Sequence, residues 1–374
     1  MSDEHVPEQS AISANDVEES ATELTRKPRN KKAIAVVTAA AVLVGGFAAW
    51  GAIRSRDDVR VVTALVTALS REDLSVDVAM DLDADGLKAL GATDADVANA
   101  GLGQVSSLQE FTDLVNGVHI VSETLPHPTK TDMSLSHFAI DIDGSSMLQV
   151  YLGDRVLVLA IDVNTLTEDG LGLIKRKDVE NTVGGLQGLL PQLDEAIDTL
   201  LAGQMVSVSF AEGTTLAPVW DELFPEGSSA AKPDYGQLIN ALKDSATVTA
   251  AGTDADGEKF DIVVKSTKFL QSYDITSLIE TSLGSTGSEL TTSATAELRK
   301  FIDDPANEKS EVRFRVWVKD DVAVKIGIDL SAIADTPAPD WTVAMSITLG
   351  TADFTIPENT FDLTPVIELL GIAG

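Results

Sequence analysis

From residue 75 onward, apolar and polar positions alternate with period two in run after run. Val76, Val78, Met80 and Leu82 alternate with Ser75, Asp77, Ala79 and Asp81. The same pattern recurs at 206–210, 258–265 and 312–319. At 322–328, Val322, Val324, Ile326 and Ile328 alternate with Ala323, Lys325 and Gly327; at 341–349, Trp341, Val343, Met345, Ile347 and Leu349 alternate with smaller or polar residues. Such strands have one dry and one wet face, the habit of antiparallel sheets. Residues 155–162 are apolar on both faces and predict a central strand. Short Asp- and Gly-containing junctions predict hairpins: Asp143-Gly144, Gly153-Asp154, Asp256-Gly257 and Asp320-Asp321. About eleven strands follow from this reading.

Helical spacing interrupts the strands. A helix is expected near 57–70, and another after the capping box Ser107–Glu110, ending at Gly117. Leu186, Leu189, Leu190, Leu193, Ile197, Leu200 and Leu201 form one stripe over 186–201, with Pro191 in a first turn or at a kink. Pro233 opens a further helix, and two more are expected at 267–283 and 289–304. Apolar helix stripes need a partner, and the dry face of the sheet is the one at hand. The expected class is α+β: one large curved antiparallel sheet with helices packed across it. Residues 54–374 read as a single domain, whose weakest join is PEGSSAAKP at 225–233.

Ahead of this domain, Ala33–Ile53 runs for 21 residues without a charge, long enough to cross a bilayer, with Trp50 near its outer end. Arg26, Lys27, Arg29, Lys31 and Lys32 precede it; Arg54, Arg56 and Arg60 follow, diluted by Asp57 and Asp58. That bias predicts a single-pass anchor with a cytoplasmic N-terminus and an extracytoplasmic C-terminal domain. A cleaved signal peptide is the rival reading of the same stretch. Residues 1–32 are polar, have too few large apolar residues to bury a core and read as a disordered tail.

Charge narrows the partners. The 374 residues carry a formal net charge of −32. The tail holds 7 acids and 5 bases, so 52 acids and 22 bases belong to the rest. Such a surface disfavours nucleic acid and adhesion to anionic headgroups. The chain has no cysteine, which removes disulfides, thiolate metal sites, a Cys nucleophile and an acylated lipoprotein anchor.

Catalytic patterns are missing. There is neither a G-x-S-x-G elbow nor a G-x-x-x-x-G-K phosphate loop. His119, His127 and His137 lack H-x-x-x-H or H-x-H spacing, and His119 and His137 read as polar residues on strand faces. Asp81, Asp83, Asp85 and Gly86 begin like a calcium loop, but Lys88 and Ala92 stand where an apolar residue and a bidentate Glu are needed. DLDADG therefore reads as a strand end and turn. No enzyme, cofactor or metal is expected.

The C-terminal run VRFRVWVKDDVAVKIGIDLSAI, followed by WTVAMSITLGTADFTIPENTFDLTPVIELL, resembles the end of the LolA-like carriers, in particular the actinobacterial LppX/LprG lipoprotein group. GDRVLVLAIDV is similar to their central hairpin. The resemblance implies a half-barrel sheet whose concave face and helices enclose an apolar, non-catalytic cavity for acyl chains. Carried onto this chain, it implies a lipid or glycolipid ligand lined by Leu189, Leu193, Ile197, Phe314, Val316, Ile326, Ile328, Val343, Met345 and Ile347. Here a peptide anchor replaces the acylated Cys of that group. The alternative is an envelope protein-interaction or scaffold module, with an envelope protein as partner and a fully packed core.

Overall fold

The computed structural model describes residues 56–99, 105–130, 133–167, 175–179, 191–223, 245–272, 299–300, 302–308, 310–331 and 340–370. The tail and the apolar stretch 33–53 lie outside them, as do the expected helix after Pro233, the 225–233 join and most of 267–304. Among the described residues no helix is long and apolar enough to cross a membrane.

Among the described residues twelve strands form one open sheet. In chain order they are β1 Leu74–Leu82, β2 Val118–Pro126, β3 Ser134–Ile142, β4 Ser145–Gly153, β5 Val156–Ile161, β6 Val206–Ser209, β7 Ala246–Asp254, β8 Gly257–Lys265, β9 Glu311–Lys319, β10 Val322–Asp329, β11 Val343–Thr351 and β12 Phe361–Asp362. Their spatial order is β12-β6-β5-β4-β3-β2-β1-β11-β10-β9-β8-β7. The middle strand, β1, pairs with β2 on one side and β11 on the other, and so joins two meanders. Every pairing is antiparallel except β12 with β6, which is parallel. The period-two scan did not separate out β2 and β12. Ser122 and Thr124 break the apolar alternation of β2, and β12 has only two residues.

Three kinds of local expectation need correction. The β4–β5 turn is Asp154-Arg155, both at positive φ, and not Gly153-Asp154, and the β7–β8 turn is Ala255-Asp256 and not Asp256-Gly257, since Gly257 opens β8 opposite Asp254. Gly153 belongs to β4, where a Cβ would lie 2.4 Å from Leu135 Cδ2 and 2.7 Å from Ile356 Cδ1. Second, the β9–β10 register shifts between Ala323 and Lys325. This bulge inserts one extra residue, so Ala323 enters the core opposite Val318 and Val322 is only partly buried. Third, Trp341 precedes β11 at φ 66 and does not share the dry face. Its ring stacks at 4.6 Å over the guanidinium of Arg315, on the opposite face.

The first helix, α1 (Arg56–Leu69), presents Val61, Ala64, Leu65 and Ala68, a spacing of three, four and seven that makes one stripe. These side chains are buried in one cluster with Phe260, Ile262, Phe314, Val316, Ile326, Ile328, Ile347 and Leu349. Arg60 ties α1 to the sheet through Glu258. Helices α2 (Ala84–Ala89), α3 (Asp94–Asn99) and α4 (Leu108–Asn116) connect β1 to β2. Asp83 caps α2 by accepting from the amides of Asp85 and Gly86, so DLDADG is a strand end and helix cap. At α4, Ser107 accepts from Glu110 N as expected, while the Glu110 carboxylate bonds Ser106 N in place of the cap residue's own amide. Helices α5 (Val163–Leu166) and α6 (Pro191–Leu201) separate β5 from β6. Pro191 is the first residue of α6, where its missing N–H leaves no helical bond unmade. Helices α7 (Ala217–Leu223), α8 (Ser266–Ser272) and α9 (Thr364–Leu370) complete the described set.

Candidate functional site

Strand register lines up one continuous apolar row across nine strands: Phe260, Val316, Ile326, Ile347, Val78, Ile120, Ile140, Leu148 and Ile161. A parallel row runs through Leu349, Val76, Ser122, Phe138, Val150, Leu159 and Val206. Neither row contains an ionisable side chain, although 23% of the chain is charged. Where a sheet face this apolar is left exposed, it marks an interaction or ligand-binding surface.

The cover is uneven. Over β8–β11, α1 seals the rows, and Val316 and Ile328 are 0% exposed. Over β2–β5 no helix of the described residues seals the same rows, which are more exposed. Ile120 is 40% exposed and Phe138 36%; Ile140, Leu148, Val150, Leu159 and Ile161 are all only partly buried. Ile120 and Phe138 are diagonal neighbours on adjacent strands, so they form one patch and are not scattered singly.

The residues expected to line a ligand site therefore fall into separate places. Phe314, Val316, Ile326, Ile328 and Ile347 come together in the sealed half beneath α1, packed within the core. Met345 packs against that cluster, partly buried, and Val343 is partly buried at the start of β11. Ile197 is buried on α6, which packs near β5 and β6. Leu189 and the side chain of Leu193 lie outside the described residues. The open patch was missed from sequence because its members are ordinary strand residues. Only an accurate β2 assignment would have placed Ile120 beside Ile140.

The opposite face buries Ala139, Tyr151, Val158 and Ala160 over β3–β5 and elsewhere carries paired polar groups. Arg315 binds Asp261 through Nε at 2.6 Å and Nη2 at 3.1 Å, and this carboxylate pushes the guanidinium further up. Trp317 Nε1 donates to Asp254 at 3.0 Å, and Lys325 lies 5.2 Å over the Trp317 ring. Each described histidine meets a carboxylate: His119 with Asp77, His127 with Asp154, His137 with Glu123. His119 and His137 do lie on strand faces, as expected. Their partners sit on neighbouring strands or turns, which spacing along the chain does not show. Among the described residues no group of three or more His, Asp or Glu could hold a metal ion.

No protein-family model matches the chain, and no curated protein matches it. Among solved structures, the crystal structure of the Mycobacterium tuberculosis lipoprotein LppX is similar, at 9% identity over 80% of this chain and 95% of that one, with a TM-score of 0.26. LppX lies in the group that the C-terminal run resembles. A superposition that loose bears on neither ligand nor site.

Proposed function

We propose that this protein is held in the cell membrane by residues 33–53 and presents outside it a non-catalytic domain that binds a hydrophobic ligand, a lipid or glycolipid. The observation that carries the reading is the uncharged apolar face of β2–β5, open at Ile120 and Phe138 while its continuation over β8–β11 is sealed by α1. Removing such a face from water releases about 25 cal/mol per Å² of apolar surface covered. An acyl chain laid across the strands would gain that without needing any hydrogen bond. In this reading Ile120, Phe138, Ile140, Leu148, Val150, Leu159 and Ile161 contact the ligand, Val343, Met345 and Ile197 border it, and the sealed cluster around Ile328 is scaffold.

The test is mass spectrometry of organic-solvent extracts of purified residues 54–374, paired with titration of a fluorescent fatty acid. A co-purifying lipid, and probe binding that falls at least about ten-fold in Ile120→Asp and Phe138→Asp, support the proposal; ten-fold is about 1.4 kcal/mol of lost binding. Extracts free of lipid, with probe binding indifferent to both substitutions, would leave the patch to an envelope protein partner.

A further inference from the structure

Between β11 and β12 the chain leaves the middle of the sheet and ends at its far edge. Ala352 N donates to Asp73 O at 2.9 Å, and Phe361 N donates to Met205 O at 3.0 Å. From β1 to β6 are five strand intervals, roughly 24 Å at about 4.8 Å each. The nine residues 352–360 reach about 30 Å fully extended. They therefore form a strap, bent at 358–359, laid across the face opposite the apolar rows.

The strap covers a partly buried ionisable group, His137, whose side chain is 13% exposed. Phe354 lies 5.4 Å from His137 and 6.2 Å from Tyr151 between ring centroids, and His137 stacks on Tyr151 at 4.3 Å. His137 Nδ1 is 2.8 Å from Glu123 Oε2, so with the carboxylate ionised this nitrogen carries the proton and donates it. Its other ring nitrogen, Nε2, is buried and has no hydrogen-bond partner among the described residues. The surroundings supply no second acceptor. Glu123 on β2 is committed to Nδ1, and Tyr151 Oη on β4 donates to Gln149 Oε1. Burial, then the Glu123 and Asp141 carboxylates, push that phenol up. Asp141 on β3 accepts from Ser146 Oγ, and Asp77 on β1 is paired with His119. On the strap, the flanking Asp353 and Glu358 are exposed.

We propose that residues 352–360 form an acid-released latch, with His137 as the sensor. Neutral His137 leaves Nε2 as a lone pair under Phe354, a modest loss. Adding a proton there creates a buried charged donor without an acceptor. Lifting the strap lets water reach Nε2, while the Glu123 contact, which joins two adjacent strands, is kept in either state. Protonation therefore favours the lifted strap. An unsatisfied buried donor at the strength usual for such groups shifts the latch roughly ten-fold or more. Release would uncover the outer face of β3 and β4 and loosen β12 from β6.

The test is hydrogen exchange of the full-length protein at about pH 7.5 and about pH 5.5, corrected for intrinsic exchange and read in peptides spanning 350–363 against β9. The expected result is at least a roughly ten-fold loss of strap protection at the lower pH, with β9 unchanged. His137→Phe keeps the ring stack and removes the titration, so its strap should stay protected at both pH values. Phe354→Ala leaves Nε2 wet throughout, so its strap should be poorly protected and indifferent to pH. A wild-type strap equally protected at both values overturns the proposal. An acid loss that persists in His137→Phe overturns it too, and assigns the sensing to another group.

Discussion

The contrast between a sealed and an open half of one apolar row is best tested by the same truncation on both sides. Ile328 and Ile120 face the same side of the sheet, the first 0% exposed beneath α1 and the second 40% exposed. Replacing isoleucine by alanine removes three carbons, about 2.4 kcal/mol of transfer free energy at about 0.8 per methylene. At Ile328 the surrounding Val61, Leu65 and Phe314 belong to one packed cluster and relax only in part. A cavity cost is added there, and the total should reach about 3–5 kcal/mol. At Ile120 about 60% of the side chain is withdrawn from water, no closed cavity forms, and the loss should stay near 1 kcal/mol. The assay is urea unfolding of residues 54–374, comparing midpoints at constant slope. Ile120→Ala should also weaken fatty-acid probe binding, and Ile328→Ala should not at urea concentrations where it remains folded. Equal destabilisation by the two substitutions, or a larger cost at Ile120, would refute the division of the sheet into scaffold and binding face.

Other expectations follow from single contacts. Gly257→Ala should destabilise by several kcal/mol in the same assay, because φ is +133 and the new Cβ would sit 2.5 Å from the backbone carbonyl of Val318, which has no side chain to swing away. Gly327→Ala should cost about 1–3 kcal/mol and shift tryptophan emission, since its Cβ meets the rings of Trp317 and Trp341 at 3.2 Å each. Ser107→Ala should cost about 1 kcal/mol through loss of the α4 cap. Hydrogen bonds from Lys130 and then His127 hold the Asp154 carboxyl below its usual range, as the Thr165 hydroxyl does for Asp162. Depressed carboxyls add stability that is present above the ordinary aspartate value of about 3.9 and lost as pH falls through the folded value. A fit of stability against pH should therefore show an acid-side loss that shrinks in Asp154→Asn.

The strands, their two faces and two of the four expected hairpin turns were legible because period-two patterning is local: each side chain's face is set by its neighbours two residues away. Helix α1 and the caps at Ser107 and Pro191 were legible for the same reason, since the groups involved lie within one turn. Where backbone geometry departs from the ideal repeat, the pattern misled. The bulge beside Ala323 and the left-handed Trp341 each change which residues face inward, and neither carries a glycine to announce it. The candidate site was further out of reach. Phe314, Val316, Ile326, Ile328 and Ile347 and their counterparts Ile120, Phe138 and Ile140 look alike in sequence, as apolar positions on alternating strands. Which of them are sealed depends on where α1 lands, and α1 reaches β10 across more than 250 residues of chain. The pairing of His137 with Glu123 beneath Phe354 likewise needs the β2–β3 register and a strap that returns from the C-terminal end. Local periodicity decides which side of a strand is dry; only the closing of distant segments over the sheet decides whether that side becomes core or remains a surface.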